Sequence, residues 1–357
     1  MLIKEISNIN PISNLKKHLD FINYIDTSSV LDGKLLNIQK LYNNFPSRAQ
    51  RYLKENDILI SSVRPNLLHN YFCKNNIQNG IASTGFIQIR IKVPSIIHPR
   101  FLYYFLTSTK NILKYTIVAD SSQTTIPSFN KDIIENLGLP DIPYANQQHI
   151  VDIIGSIDDK IENNNKIIDK LDEFGIKNYF KLSNKLEDIL LYSKFERGKE
   201  ASSKNYSEIK QKNFINFIRV KDLNVLTNTY ISNSLKLPLV AENDTLIALD
   251  GTVGRMNFGL SGAYSSGLYK ILPINEKYRG IIYFSLKDNF NQNIIQYYAT
   301  GTTILHASKA INHLKIKRHK ENDLILFNDL YKIMLFLKQE NDKLNKLKQL
   351  YLKKFFG

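Results

Sequence analysis

Tryptophan is absent from this chain, methionine occurs three times and cysteine once, at Cys73. A single thiol excludes an intrachain disulfide and any cysteine-rich zinc or iron–sulfur cage, and it fits a reducing compartment. Long apolar runs are missing too: no stretch approaches the roughly 18 residues that a membrane span needs. The first residues, Met1-Leu2-Ile3-Lys4-Glu5, meet a charge pair at once and read as lacking a signal-peptide core, so a cytoplasmic protein is expected. Acidic residues are in deficit, 33 Asp+Glu against 48 Lys+Arg for a net charge of +15. That excludes an acidic DNA mimic. Arginine is itself scarce, 10 of those 48. The abundance of Lys, Asn and Ile fits an AT-rich genome, but such a bias does not by itself force a surplus of positive charge, and the surplus is the footprint expected of a nucleic-acid partner.

Enzyme motifs are lacking as well. No G-x-x-x-x-G-K-[ST] loop is present, so no ATP motor is encoded. The amino-methyltransferase pattern Asn/Asp-Pro-Pro-aromatic has only Asn10-Pro11-Ile12 as its nearest candidate, which fails. Asp141 with Asp158 and Lys160 matches a loose carboxylate-pair-plus-lysine nuclease pattern, which needs both carboxylates on one metal ion. His306, His313 and His319 have no standard metal spacing.

What the chain does contain is itself, twice. Glu55-Asn56-Asp57-Ile58-Leu59-Ile60 recurs as Glu242-Asn243-Asp244-Thr245-Leu246-Ile247. Ser83-Thr84-Gly85-Phe86 recurs as Ser265-Ser266-Gly267-Leu268, Leu102-Tyr103-Tyr104 as Ile282-Tyr283-Phe284, and Thr124-Thr125-Ile126 as Thr302-Thr303-Ile304. The offsets drift slowly from 187 to 178 residues. A period this long means two copies of one domain-sized unit, not a solenoid. Each copy ends in a helical stretch with heptad spacing. The first seam is Ile150, Ile154, Ile157, Ile161, Asn164, Ile168 and Leu171; the second is Ile333, Leu337, Glu340, Leu344, Leu347 and Tyr351. Equivalent helices in a duplicated chain are expected to pair with each other, with Asn164 and Glu340 as polar interruptions that fix register. The rest of each copy reads as mixed β and helix. Asp57–Val63 is a strand, Gly85–Ile91 alternates like a half-buried strand, and Pro99 to Lys114 looks like one helix with Leu102, Phe105, Leu106, Thr109 and Leu113 on one face. The boundaries are 1–142, 143–185, 186–324 and 325–357.

Several segments resemble the specificity subunit of type I restriction–modification systems. They are Pro46-Ser47-Arg48-Ala49-Gln50 leading to Asp57-Ile58-Leu59-Ile60-Ser61-Ser62-Val63-Arg64-Pro65-Asn66, then Asn79-Gly80-Ile81-Ala82-Ser83-Thr84-Gly85-Phe86, then Thr125-Ile126-Pro127-Ser128 with Leu139-Pro140-Asp141-Ile142-Pro143. The last is Asn146-Gln147-Gln148-His149-Ile150-Val151 with Ile157-Asp158-Asp159-Lys160-Ile161. The resemblance implies an α+β fold: two tandem mixed α/β target-recognition domains, 1–142 and 186–324, separated by two long helices, 143–185 and 325–357, that pair as an antiparallel coiled coil with pseudo-two-fold symmetry. It implies a non-catalytic subunit in which each domain reads half of a bipartite double-stranded DNA target. The helices would dock two methyltransferase subunits, with motor–nuclease subunits joining for restriction. No cofactor is then expected in this chain; S-adenosylmethionine, and ATP with magnesium, fall to the partners.

Phosphates are held by Lys, Arg, hydroxyls and amides, and base edges are read by Arg, Asn, Gln, Ser and Thr. The candidates at loop positions are Ser62, Arg64, Asn66, Lys74, Ser83, Thr84, Gln123, Thr124, Thr125 and Ser128 in the first copy. In the second they are Thr252, Arg255, Asn257, Ser265, Ser266, Thr302, Thr303, His306 and Lys309. Arg64 is either a guanine reader or a turn arginine paired with a carboxylate. The basic run from Lys309 to Lys320 suggests phosphate contacts. A helix of about 36 residues spans about 54 Å at 1.5 Å per residue, equivalent to roughly 15 base pairs of B-DNA, which suits a split target. The alternatives are a stand-alone nuclease using Asp141, Asp158 and Lys160, or a coiled-coil adaptor that binds no DNA.

Overall fold

The computed structural model describes residues 1–12, 19–122, 126–223 and 229–357. The chain divides into two compact units, Met1–Lys160 with Leu344–Gly357, and Ile161–Lys343.

The first unit opens with the short helix α1 (Ile3–Ile6) and ten strands: β1 (Ser7–Ile9), β2 (Phe21–Ile25), β3 (Val30–Leu31), β4 (Lys34–Leu35), β5 (Gln39–Tyr42), β6 (Ala49–Tyr52), β7 (Ile58–Ser61), β8 (Asn70–Phe72), β9 (Gly80–Ser83) and β10 (Phe86–Ile91). Two four-stranded sheets result, ordered β1-β10-β7-β8 and β5-β2-β9-β6, with β3 and β4 as a separate hairpin. Among the described residues of this unit only β2 and β9 pair in parallel, Tyr24 opposite Ile81. The helices α2 (Pro99–Leu106), α3 (Thr109–Asp120) and α4 (Lys131–Glu135) follow, and then the 37-residue α5 (Tyr144–Phe180).

The period-2 pattern of β7 and β10 is present, but both faces are buried. Ile58, Ile60, Ile87 and Ile89 join Phe101, Leu102, Phe105 and Leu106 of α2 in the main core. Leu59 and Phe86 turn to the other side, against Ile25, Val30, Cys73 and Ala82. Gly85–Ile91 is therefore not half-buried, as its alternation suggested, because its polar member Gln88 is buried as well. Its amide donates to Asp57 Oδ2 and to the Tyr52 carbonyl, both at 2.8 Å. Arg90 grips the same fully buried carboxylate with Nε at 2.8 Å and Nη2 at 2.7 Å. A buried charge persists only when paired and hydrogen-bonded in this way.

The expected single helix from Pro99 to Lys114 is two helices, broken at Thr107-Ser108. The Asn111 amide donates back to the Phe105 carbonyl at 2.8 Å, which satisfies the first helix's end. Leu113 is 58 % exposed and leaves the apolar face predicted for it.

The second unit repeats this order. Its strands are β11 (Leu186–Asp188), β12 (Ser193–Arg197), β13 (Phe214–Ile218), β14 (Tyr230–Ser232), β15 (Leu239–Val240), β16 (Thr245–Ala248), β17 (Met256–Asn257), β18 (Gly262–Tyr264), β19 (Leu268–Pro273) and β20 (Lys315–Lys317). Helices α6 (Arg279–Lys287), α7 (Asn289–Tyr297) and α8 (Glu321–Phe356) complete it. The sheets are β12-β19-β16-β17 and β14-β13-β18-β15, with β11 and β20 as an added pair. Again one contact in the second sheet is parallel, Phe217 opposite Ala263. Strand for strand the four-stranded sheets of the two copies match, while the β3–β4 hairpin and the β11–β20 pair each belong to one copy.

Local chemistry accounts for the repeated sequence. Asp57 and Asp244 each close a turn before a central strand: Asp57 Oδ2 accepts the Lys54 N–H at 2.7 Å, and Asp244 Oδ2 accepts the Ala241 N–H at 3.0 Å. Asn111 and Asn291 each bind a carbonyl at the end of the preceding helix, those of Phe105 and Ser285. The structure adds a further repeat: Phe21-Ile22-Asn23-Tyr24-Ile25 and Phe214-Ile215-Asn216-Phe217-Ile218 are the equivalent strands β2 and β13.

The two long helices run antiparallel inside each unit. In the first, Ile150, Val151 and Ile154 of α5 share a core with Leu352 and Phe356 of α8, and Asp158 meets Lys348 at 2.8 Å. In the second, the Asn164 amide donates to Glu340 at 2.6 Å and to Asn341 at 2.9 Å, and Asn341 donates to Asn165 at 3.0 Å. Further along, Tyr179 meets Phe327 with ring centroids 6.0 Å apart.

The structure places the α5 seam where the spacing put it, with Ile150, Ile154, Ile157, Ile161 and Asn164 buried and Ile168 and Leu171 half-buried. The α8 seam needs correction. Ile333 is 48 % and Leu347 40 % exposed, whereas Met334, Leu337, Asn341 and Leu352 are buried. The seam runs about one residue later than predicted, through Met334, Asn341, Lys348 and Leu352, with Leu337 retained and Glu340, Leu344 and Tyr351 half-buried on its flank. A search for apolar residues overlooks Asn341 and Lys348, which face inward because Asn164 and Asp158 on α5 receive them.

Candidate nucleic-acid interface

In the first unit the turn after β7, the β9–β10 turn and the segment 126–129 are held together by the backbone. The Ser62 N–H donates to the Gly85 carbonyl at 2.9 Å, Arg64 N–H to Pro127 at 3.0 Å, and Phe129 N–H to Ser62 at 3.0 Å. The start of β6 joins them, with Thr84 N–H donating to the Arg48 carbonyl at 2.8 Å. The second unit rebuilds the same clasp. Leu249 N–H donates to Gly267 at 3.1 Å, Gly251 N–H to Leu305 at 2.8 Å, and Ala307 N–H to Leu249 at 2.7 Å. The isolated bridges Val63–Ser128 and Asp250–His306 are equivalent. In each unit the duplicated topology thus gathers, at one loop cluster, residues far apart in sequence.

The backbone at position 64 is informative. Gly251, its counterpart, has φ +76°, a conformation glycine adopts freely. Arg64 holds φ +46° at the same place. A side chain in this left-handed region costs about 1 kcal/mol, and such strain concentrates at functional positions. The Arg64 side chain is exposed and has no carboxylate partner among the described residues. Of the two readings of this arginine, the ion-paired turn is therefore not the one seen.

The other candidates divide. Thr84 and Ser128 lie in the first cluster beside Arg64, and Asn66 follows in the adjoining turn. Ser62 and Ser83 support it instead: the Ser62 hydroxyl donates to the Gly85 carbonyl at 3.0 Å, and the buried Ser83 hydroxyl accepts the Gly85 N–H at 3.2 Å. Lys74 is tied to Asp159 of α5 at 3.0 Å, away from the loops. Gln123, Thr124 and Thr125 lie outside the described residues. In the second unit Thr252, Thr302, Thr303 and His306 are exposed on the loops, Lys309 is exposed on the 3-10 helix Ser308–His313, and Arg255 is half-buried beside Thr252. Ser265 is buried, and Ser266 gives its hydroxyl to Glu200 at 3.2 Å.

Asn257 is committed to the scaffold. Its amide donates to the Leu223 carbonyl, and its oxygen accepts from Lys338 and from the Phe258 N–H. Burial, reinforced by the nearby Lys287 cation, pushes the Lys338 ammonium down to about 8. The basic run from Lys309 to Lys320 also loses members. Lys315 pairs with Asp188, and the buried Lys317 donates to the Phe180 carbonyl at 2.8 Å.

Two arginines at the clusters were not singled out by sequence. Arg48 stands in a quoted segment and has no carboxylate partner among the described residues. Arg197, at the end of β12, reaches the second cluster, where its Nε donates to the Ser266 carbonyl at 2.9 Å. Nothing in the local sequence marks it, since the contact is made across 69 residues.

The nuclease arrangement does not assemble. Asp158 accepts the Tyr104 hydroxyl at 2.7 Å and pairs with Lys348, so it serves as a structural anchor. Among the described residues no cluster of three or more His, Cys, Asp or Glu is arranged to hold a metal ion. No helix among them is long and apolar enough to cross a membrane.

Residues 2–173 match the family described as type I restriction modification DNA specificity domain. Over 176 residues the chain is 31 % identical to the type I restriction enzyme HindI specificity subunit of Haemophilus influenzae, a match covering 48 % of this chain and 38 % of that relative's length. The solved S subunit of a type I restriction-modification system from M. genitalium is similar across 100 % of this chain and 95 % of its own, with a TM-score of 0.50 and 17 % identity. The HsdS subunit from Thermoanaerobacter tengcongensis covers the same shares at 18 % identity and a TM-score of 0.43. At 17 % identity the M. genitalium likeness speaks for the fold alone.

Proposed function

We propose, since residues 2–173 match the family described as type I restriction modification DNA specificity domain, that the whole chain is the DNA-reading subunit of such a system and has no active site of its own. The observation that carries this reading is the duplication. Two units with the same sheet order present the same backbone clasp, and the loops at each clasp bear different polar side chains. Equal scaffolds with unequal loops suit the reading of two different half-targets on double-stranded DNA. Phosphate contacts position such domains, and base-edge contacts specify the sequence. The net charge of +15 supports the first kind of contact. Exposed Arg64 and Asn66 with half-buried Thr84 in one cluster, and exposed Thr252, Thr302 and His306 in the other, support the second.

The long helices are the proposed docking surface for two methyltransferase subunits, with motor–nuclease subunits joining for restriction. Beyond the residues that pair, α8 carries exposed Ile325, Ile333, Phe336, Leu347 and Leu350. Helical spacing sets these on one stripe, opposite the seam. S-adenosylmethionine, and ATP with magnesium, belong to the partner subunits in this reading, and the complex works in the cytoplasm.

The test is co-expression with the cognate methyltransferase, followed by single-molecule sequencing of host DNA for methylated adenines. Two short half-sites with a fixed gap are expected, and exchanging residues 1–142 changes one half only. Copurifying subunits that leave no split motif would refute the proposal.

A further inference from the structure

Arg197, Asp250 and His306 of the second unit form a connected group, of which the sequence singled out His306 alone. The Asp250 carboxylate, its side chain 12 % exposed, accepts from Arg197 Nη2 at 3.1 Å through one oxygen and from His306 Nδ1 at 2.8 Å through the other. Arg197 Nε donates to the Ser266 carbonyl at 2.9 Å. Its guanidinium also lies 5.8 Å from the Tyr269 ring centroid. The carboxylate, the carbonyl and the ring fix the plane of the guanidinium, yet the Arg197 side chain is 55 % exposed.

A guanidinium carries five N–H donors in a rigid fork. Two are taken here, one on Nε and one on Nη2. The remaining hydrogens on Nη1 and Nη2 leave a pair of donors at the tip of the side chain, and no described residue accepts them. Such a pair matches the O6 and N7 acceptors of guanine in the major groove. It also matches a phosphate, but phosphate binding does not require a fixed plane, since a lysine serves there as a point charge. A side chain held in one orientation loses less freedom on binding, which favours a directional contact. The position is right as well: Ser266 belongs to the β18–β19 turn and Asp250 and His306 to the clasp, the counterparts of Thr84, Val63 and Ser128 in the first unit.

We infer that Arg197 reads a guanine in the half-target of the second recognition domain, with Asp250 as the positioning residue that holds its plane and His306 bracing the carboxylate from the other side. The inference rests on the DNA-reading function proposed above and assigns one base of one half-site to one side chain.

The experiment uses the full chain co-expressed with its methyltransferase, with the methylated motif mapped for wild type, Arg197→Lys, Arg197→Ala and Asp250→Asn. Arg197→Lys keeps the charge on an exposed position, so folding and phosphate attraction persist while the fork is lost. The wild-type motif is expected to contain a guanine in the half that stays constant when residues 1–142 are exchanged. In both Arg197 variants discrimination at that single position falls by roughly 10- to 100-fold, the loss of one bidentate contact, and the other half-site is unchanged. Asp250→Asn relaxes the same position to a smaller degree. A split motif whose second half lacks guanine, or one that Arg197→Lys and Arg197→Ala leave intact, overturns this inference alone. A wild-type complex with no split motif overturns the function on which it rests.

Discussion

Asp158 and Lys348 are an unequal pair, and replacing them one at a time should expose the difference. Asp158 has three partners: the Tyr104 hydroxyl at 2.7 Å, Lys348 at 2.8 Å and Arg100 at 3.8 Å. Lys348, its side chain 11 % exposed, has Asp158 alone among the described residues. Asp158→Leu therefore strands an ammonium in the helix seam and leaves the buried Tyr104 hydroxyl without its acceptor. Breaking a buried pair from one side costs about 3–5 kcal/mol. Lys348→Met leaves the carboxylate with Tyr104 and Arg100 and fills the seam with a chain of similar length, at a cost of about 1 kcal/mol or less. In the double variant no charge is stranded, and only the Tyr104 hydroxyl stays unpaired, which costs roughly 1–3 kcal/mol. The double variant should thus be more stable than Asp158→Leu by about 2 kcal/mol, a coupling well above the additivity error. Urea unfolding followed by far-UV circular dichroism gives the totals, and hydrogen exchange over 144–158 and 344–356 locates them. The reasoning fails if Lys348→Met costs as much as Asp158→Leu, or if Asp158→Leu costs under about 1 kcal/mol.

Other outcomes follow from the same geometry. Lys338 titrates near 8 when folded and near its ordinary value of 10.5 when unfolded. Between those values the unfolded chain binds more protons, so stability rises with pH. The gain from pH 7.5 to 9 is at most about 1 kcal/mol, and Lys338→Met should abolish it in pH-dependent unfolding of the second unit. Asn257→Ala should lower stability by about 1–3 kcal/mol through the orphaned Lys338 and Leu223 groups without altering the methylated motif. Sequencing that shows a relaxed base would restore Asn257 as a reader. A Cβ on Gly280 would lie 2.2 Å from the Phe327 carbonyl oxygen, in backbone that cannot yield cheaply. Gly280→Ala should cost about 1–3 kcal/mol, read by thermal unfolding, and a neutral result would show that α8 can shift against α6.

The duplication, the mixed fold and the existence of two long paired helices were legible in the chain. Each rests on local or periodic chemistry. Asp57 and Asp244 close equivalent turns with their own neighbours, and Ile150, Ile154, Ile157 and Ile161 bury one helix face by spacing alone. The α8 seam was not legible, since hydropathy cannot foretell that Asn341 and Lys348 turn inward toward Asn164 and Asp158. Candidate readers could be gathered by residue type, but their roles could not. Ser83, Lys74 and Asn257 are spent on the scaffold, while Arg48 and Arg197 stand at the loop clusters. A polar side chain becomes available to a ligand only where its neighbours leave donors or acceptors unclaimed. Several of those neighbours lie tens of residues away, 85 from Lys74 to Asp159 and 81 from Asn257 to Lys338, so the sequence by itself determined the two scaffolds, and only tertiary structure decided which side chains they leave free.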